Sequence, residues 1–411
     1  MKINSARTVN EMISAISLAM DIENERKLYH GWRVAVLAVG INDALGDEGS
    51  NKLFYAGLLH DVGGVGLPHH LIHYLTKKRP GLSPDPLVIA HPLLSAEIIS
   101  AMPGLDSTAR PVLDHHENWD GHGFPRALGA GEIANDAQVL KAADTVDLLL
   151  RAEPPPDIDT VVAGIRNLAN TQISPSVADC TAETTRILFP DVMEDEAIEW
   201  TFGATRARIG TVPVPRGVDA IGLTLEVLSR VVDNKHPYTI GHSRRVARYS
   251  LLIGIAMGMT HDEVTLLRWA SLIHDVGKLS IPAKMLNKAS ALTPSEYSTL
   301  QRHAAYTFDI VNMITDLRPV AAVASGHHER FDGTGYPNGL AGNEIPIGAR
   351  IIAVADAFDA MTSQRPYRAV NDMDVACAEL EDNAGKQFDP AVVDIAVPVL
   401  RNLGMVIATS T

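Results

Sequence analysis

Cysteine is nearly absent: Cys180 and Cys377 are the only two in 411 residues. Both fall in ordinary helical patterns, so the chain is read without a disulfide framework, with both thiols as packing residues, and a reducing compartment suits it. Long apolar runs are missing too. No stretch approaches the roughly 18 apolar residues of a membrane span, and the start, MKINSARTVNEM, lacks the apolar segment of a signal peptide. The expectation is a cytoplasmic protein without membrane contact. Positive charge is in deficit, with 35 Lys and Arg against 49 Asp and Glu and a net charge of −14. That argues against a broad footprint for polymeric DNA or RNA, and an anionic ligand would need a locally positive site. Sustained strand-like alternation is lacking as well.

What the chain has is repetition. His30 in YHGWRVA matches His242 in GHSRRVA, and His60 and Asp61 in LLHDVGG match His274 and Asp275 in LIHDVGK. His91 matches His303, His115 and His116 match His327 and His328, and Asp144 matches Asp356; all seven pairs lie 212 or 214 positions apart. One repeat is placed at 1–185 and the other at 218–411, with 186–217 between them. There, TVPVPRG at 211–217 reads as a stiff linker, because its two prolines disfavour helix. Within the repeats, Ile221, Leu225, Leu228 and Val232, and likewise Val246, Tyr249, Ile253 and Ala256, recur at helical spacing. The predicted fold is all-α: two tandem helical bundles with short Gly and Pro turns.

Ten of the sixteen histidines belong to the repeated pattern, five per copy, and each copy adds two aspartates. Imidazole and carboxylate together suit borderline first-row ions such as iron, manganese or zinc, whereas calcium or magnesium would want oxygen alone. Seven side chains per copy exceed what one tetrahedral zinc uses, and two ions sharing a carboxylate explain the count better. Neighbours such as His274 and Asp275 project about 100° apart on a helix, so they can approach two adjacent ions. The candidate ligands are His242, His274, Asp275, His303, His327, His328 and Asp356. A possible second set is His30, His60, Asp61, His91, His115, His116 and Asp144. His69, His70, His73, His122, His236 and His261 have no matched partner and are left to surface or core.

HDVGK, then His303, then HHERFDGTGYP, then Asp356 in AVADAFDAM together resemble the motif series of the HD-GYP subfamily of HD-domain phosphohydrolases. The resemblance spans nearly all of 218–400, and the N-terminal half resembles a diverged second copy. It implies HD-type bundles holding two divalent ions, iron or manganese foremost, with a third if a further carboxylate reaches the site. It also implies hydrolysis of a cyclic dinucleotide, cyclic di-GMP or 3',3'-cyclic GMP-AMP, to a linear dinucleotide and onward to mononucleotides. By resemblance Asp275 would bridge the ions, and hydroxide held between them would be the nucleophile. Lys278, one turn after His274, could offset charge building on the phosphoryl group.

For the substrate, Gly333 and Gly335 allow a tight lip at the pocket mouth, and Tyr336 could stack on a guanine or pack beneath the loop. Arg330, Arg365, Tyr367 and Arg368 are further candidates, guanidinium groups suiting phosphate forks and guanine edges. The N-terminal copy keeps all seven ligand types but has Gly64 for Lys278, Phe124 for Tyr336, and no RPYR after Asp144. The second copy therefore reads as catalytic, and the first as a structural or regulatory partner that packs on it or controls it. Two alternatives stand beside this reading: an HD phosphohydrolase acting on another nucleotide or phosphate ester, and a non-catalytic receptor for a cyclic dinucleotide. A homo-oligomer is left open.

Overall fold

The computed structural model describes residues 3–22, 28–67, 86–152, 154, 156–236, 239–363 and 372–408. Among these the regular structure is helical, and strand-type pairing is confined to the isolated bridges Asp120–Gly129, Ala169–Ile173 and Ala384–Phe388. The chain is thus all-α, as its periodicity requires, and it divides into two units, Met1–Thr224 and Leu225–Thr411.

The first unit contains α1 (Ser5–Asp21), α2 (His30–Leu45), α3 (Ser50–Leu59), α4 (Pro86–Ser100), α5 (Asp106–Asp114), α6 (Asn135–Leu150), α7 (Ile158–Arg166), α8 (Pro175–Met193) and α9 (Asp195–Ile209). Its core is built from Met12, Ile13, Leu37, Leu53, Phe54, Tyr55 and Leu58, all under 2% exposed. The Tyr55 hydroxyl, carried into that core, is satisfied by donating to Asn10 Oδ1 at 2.8 Å.

Segment 186–217 differs from the sequence reading. The chain stays helical to Met193 and again over α9, so the irregular connection begins only after Ile209. The signal for α9 was present. Asp195 and Glu196 occupy its first turn and Arg206 and Arg208 its last, complementing the helix dipole, while Ile198 and Phe202 form a buried stripe.

The helix α10 (Ala220–Asn234) leads into the second unit, followed by α11 (His242–Ala256), α12 (His261–Ile273), α13 (Ala283–Leu286), α14 (Pro294–Asn312), α15 (Arg318–Ser325), α16 (Ile347–Thr362), α17 (Met373–Asp382) and α18 (Pro390–Ala408). Capping boxes start two of them: Thr260 with Glu263 opens α12, and Thr293 with Glu296 opens α14, where Pro294 occupies the first turn. Phe358, fully buried on α16, anchors the core against α11, its ring 5.3 Å from that of Tyr249. Burying it is worth about 2–3 kcal/mol. No helix among the described residues is long and apolar enough to cross a membrane.

Candidate metal centre

In the second unit, His242 opens α11, His274 closes α12, His303 projects from α14 and Asp356 from α16, while His327 and His328 lie on the 3-10 turn Gly326–His328. Asp275 heads the turn Val276–Ser280. That turn lies directly on α14, since a Cβ on Gly277 would stand 2.0 Å from the His303 carbonyl oxygen and 2.6 Å from Thr307 N. Only glycine permits this approach, which brings His303 beside the His-Asp pair.

Hydrogen bonds orient the imidazoles. His274, His303 and His327 donate from Nδ1 to the carbonyls of Ser271, Leu300 and Ala324 at 2.8, 2.7 and 2.7 Å. His242 donates from Nδ1 to Asp359 Oδ2 at 2.8 Å. Each bond fixes the tautomer that leaves Nε2 bare as a ligand. Nε2 of His274, His303 and His327, together with Asp275 Oδ1, are buried without a hydrogen-bond partner among the described residues. Orphaned polar atoms cost about 1–3 kcal/mol each, and cations would satisfy all four.

Asp275 stands between two donor sets. Its Oδ1 lies 3.5 and 3.8 Å from Nε2 of His303 and His327, and its Oδ2 lies 3.4 and 3.8 Å from Nε2 of His274 and His242. The sets Asp275, His303, His327, His328 and His242, His274, Asp356 each offer ligand atoms within 4.8 Å of one another. The arrangement suits two ions bridged by one carboxylate, and nitrogen with oxygen donors suits a borderline transition metal.

Charge favours the ligating forms. Burial pushes His303 and His327 down to about 4, Asp275 opposing only part of the effect, so both rings are neutral near pH 7. Burial likewise lowers His274 and His328. Burial alone would raise Asp275, but Lys278 and the surrounding imidazoles outweigh it and hold the carboxyl well below its usual range. His242 is the exception: Asp356 and Asp359 overcome its burial and move it up to about 10, so its ring holds a proton that a bound cation would have to displace.

The first unit repeats the pattern. His60, His91 and His115 donate from Nδ1 to the carbonyls of Gly57, Val88 and Val112, and His30 donates to Asp147 Oδ2 at 2.6 Å. Asp61 Oδ1 is 3.4 Å from His91 Nε2, and its Oδ2 is 3.6 and 3.9 Å from those of His60 and His30. The grouped donors are Asp61, His91, His115, His116 and His30, His60, Asp61. Asp144 Oδ1 adds itself at 3.7 and 3.8 Å from His30 and His60 Nε2. Around this centre the copies diverge. Buried Lys141 stands where the second copy has Ala353, and the cavity beside His30, His60 and Asp61 measures only about 20 Å³.

The second unit opens two cavities onto its centre. One of about 340 Å³ is lined by Asp233, His242, Asp275, Lys278 and Lys288, and another of about 470 Å³ by Arg330, Ala353 and Gln387; both touch His328, Tyr336 and Asp356. Lys278 reaches Asp275 Oδ2 as an ion pair. Arg330 is held by Asp332, Thr334 and Gln387, on the cavity wall. The Tyr336 ring lies 4.8 Å from that of His328, tilted by 32°, so one of its faces is engaged by a candidate ligand. Arg365, Tyr367 and Arg368 lie outside the described residues.

Sequence reasoning missed four supporting carboxylates. Asp359 and Asp147 hold the first histidine of each set, and their 212-residue offset was a readable signal. Glu329 and Glu117 clamp the loops after the paired histidines. Glu329, 3% exposed, accepts from Asn338 N at 2.7 Å and Leu340 N at 3.0 Å, and Glu117 accepts from Arg126 N and Leu128 N. The same loop needs its glycines, Gly333 for a φ of +80° and Gly335 because a Cβ would meet Arg330 N at 2.3 Å.

The family model for the HD domain matches residues 8–168 and again 226–392. The chain therefore belongs to the HD-domain family as two tandem copies, and to its HD-GYP subfamily. It is 30% identical over 364 residues to the 3'3'-cGAMP-specific phosphodiesterase 1 of Vibrio cholerae, covering 86% of this chain and 82% of that protein. It is 44% identical over 161 residues to the 3'3'-cGAMP-specific phosphodiesterase 3 of the same organism, covering 39% of this chain and 35% of that protein. A cyclic di-GMP phosphodiesterase of Thermotoga maritima is 40% identical over 172 residues, 41% of this chain and 47% of that one. The chain thus spans well under two thirds of the length of the latter two relatives. A crystal structure of a cyclic GMP-AMP-specific phosphodiesterase of V. cholerae shares the fold, with a TM-score of 0.65 and 23% identity over 96% of this chain and 98% of that one.

Proposed function

We propose that the chain is a metal-dependent phosphodiesterase that opens a cyclic dinucleotide to its linear form, and that the second copy carries the reaction. The observation that carries this reading is Asp275, whose two oxygens face two histidine sets, in a centre whose His328 and Asp356 line both neighbouring cavities. Two cavities flanking one centre suit a ligand with two nucleotide halves. The names of the relatives point to the same chemistry, cyclic GMP-AMP for some and cyclic di-GMP for others.

His242, His274, Asp275, His303, His327, His328 and Asp356 would hold two ions, iron or manganese. When bound, such ions supply a water acidic enough to attack phosphorus at neutral pH and a positive clamp for the phosphoryl oxygens. The chain supplies the rest. Lys278, a quarter exposed beside Asp275, can release part of its ion pair to the phosphoryl charge. Arg330 and Tyr336 line the walls for the bases, and Arg365, Tyr367 and Arg368 complete the proposed substrate set. The first copy would hold metal without turning over substrate, because Lys141 replaces Ala353 and Gly64 replaces Lys278. Its role would then be structural or regulatory. The free thiols of Cys180 and Cys377 suit a reducing compartment, and the proposed site of action is the cytoplasm.

The test is anaerobic incubation of the protein with manganese or ferrous ion and either cyclic di-GMP or cyclic GMP-AMP, beside Asp275→Ala and Asp61→Ala variants. Linear product from the parent and Asp61→Ala proteins, with at least about a hundredfold less from Asp275→Ala, is expected. No product despite bound metal would defeat the phosphodiesterase reading for these substrates. Loss in Asp61→Ala alone would reverse the roles of the copies.

A further inference from the structure

The two copies differ on the outer face of one helix pair, α2 with α3 in the first and α11 with α12 in the second. The register is secure, since Arg33 bonds Asp147 in the first unit as Arg245 bonds Asp359 in the second. In the first unit α9 closes this face. Phe202, 2% exposed, stacks on Trp32 with ring centroids 4.0 Å apart and on Phe54 at 5.4 Å, and Ile198 is fully buried beside them. This cover lies outside residues 8–168, which the family model matches.

In the second unit Arg244 stands for Trp32, Arg248 for Val36 and Arg268 for Phe54. Among the described residues the face is a groove of about 510 Å³, lined by Leu251, Leu252 and Ile255, the last 60% exposed, together with the three arginines. Arg268 is matched by Glu226 at 2.5 Å and Arg245 by Asp359. Arg244 and Arg248 are exposed, and neither has a carboxylate within ion-pair distance among the described residues. An apolar trough with uncompensated cations on its wall is unusual on a chain of net charge −14.

We propose that this groove docks an acidic amphipathic helix of a partner protein, seated as α9 is seated on α2 and α3. A helix fits because the same helix pair accepts one on the same face in the first unit, with an aromatic anchor between the two. Its flanks are acidic because Arg244 stands where Trp32 meets Phe202 of α9, and Arg248 lines the same groove. Apolar and cationic side chains line one concave groove, which suits a helix edge better than a flat lipid surface.

The probe is a fluorescein-labelled synthetic peptide of residues 194–210 carrying Arg206→Glu and Arg208→Glu, which keeps Ile198 and Phe202 on an acidic helix. Fluorescence anisotropy against the full-length protein should show saturable binding that weakens with salt. Phe202→Ala in the peptide, or Arg244→Glu with Arg248→Glu in the protein, should each weaken it about tenfold or more. Circular dichroism and thermal melting establish that the double variant is folded. Equal binding of a scrambled peptide, insensitivity to the charge reversal, or no saturable binding overturns the proposal. Arginine-dependent binding to phosphatidylglycerol vesicles, or arginine-dependent dimerisation in ultracentrifugation, with no peptide binding, overturns it in favour of a membrane or a second copy.

Discussion

Substituting Glu329 by glutamine tests whether one buried carboxylate holds the loop that carries Tyr336. Both oxygens are engaged, Oε1 by Asn338 N at 2.7 Å and Oε2 by Leu340 N at 3.0 Å, and the residue is 3% exposed. Glutamine keeps the shape and one acceptor, but it turns an NH₂ toward a backbone N–H. One bond to a charged acceptor, worth about 1.5–3 kcal/mol, is lost, and the buried donor left unpaired brings the cost to about 2–4 kcal/mol. For a unit of this size about 2–4 °C follows from each kcal/mol, so the melting temperature should fall by roughly 4–16 °C. A loop that opens locally instead of unfolding the unit will show the same loss in hydrogen exchange at the Asn338 and Leu340 amides. KM should rise with either outcome, because Tyr336 lines both cavities. Unchanged melting together with unchanged exchange at both amides would refute the reasoning.

Dialysis against a chelator should lower the melting temperature, and restoring manganese to about a hundred times its Kd should return about 2.7 kcal/mol, or roughly 5–11 °C, read by calorimetry. Asp359→Asn should weaken manganese binding at the position held by His242, His274 and Asp356 by about 10–100-fold while sparing the other, measured calorimetrically in an Asp61→Ala background. Gly277→Ala should be far more damaging than an ordinary glycine substitution, because its Cβ meets the His303 carbonyl oxygen at 2.0 Å. Loss of metal stoichiometry in protein that still folds, or failure to fold, is expected; a protein with parental metal content and melting temperature would count against that contact.

The sequence by itself determined the class of fold, the tandem duplication and the roster of candidate ligands. Helical periodicity is a local property, and a duplicated chain exposes its constrained positions by repeating them at a fixed offset, as His303 repeats His91. It left α9 unread, because the prolines at 213 and 215 marked a linker and the whole of 186–217 was assigned to it, over a segment with its own apolar stripe. Only the tertiary structure decided which oxygen of Asp275 faces which histidines, and that Asp359 and Glu329 turn inward to hold His242 and the loop. In one dimension, carboxylates three residues apart on a helix, such as Asp356 and Asp359, read as readily as a solvated face. Which way they point depends on α11 and α16 packing together, and the uncovered groove on α11 and α12 likewise exists only where those helices meet.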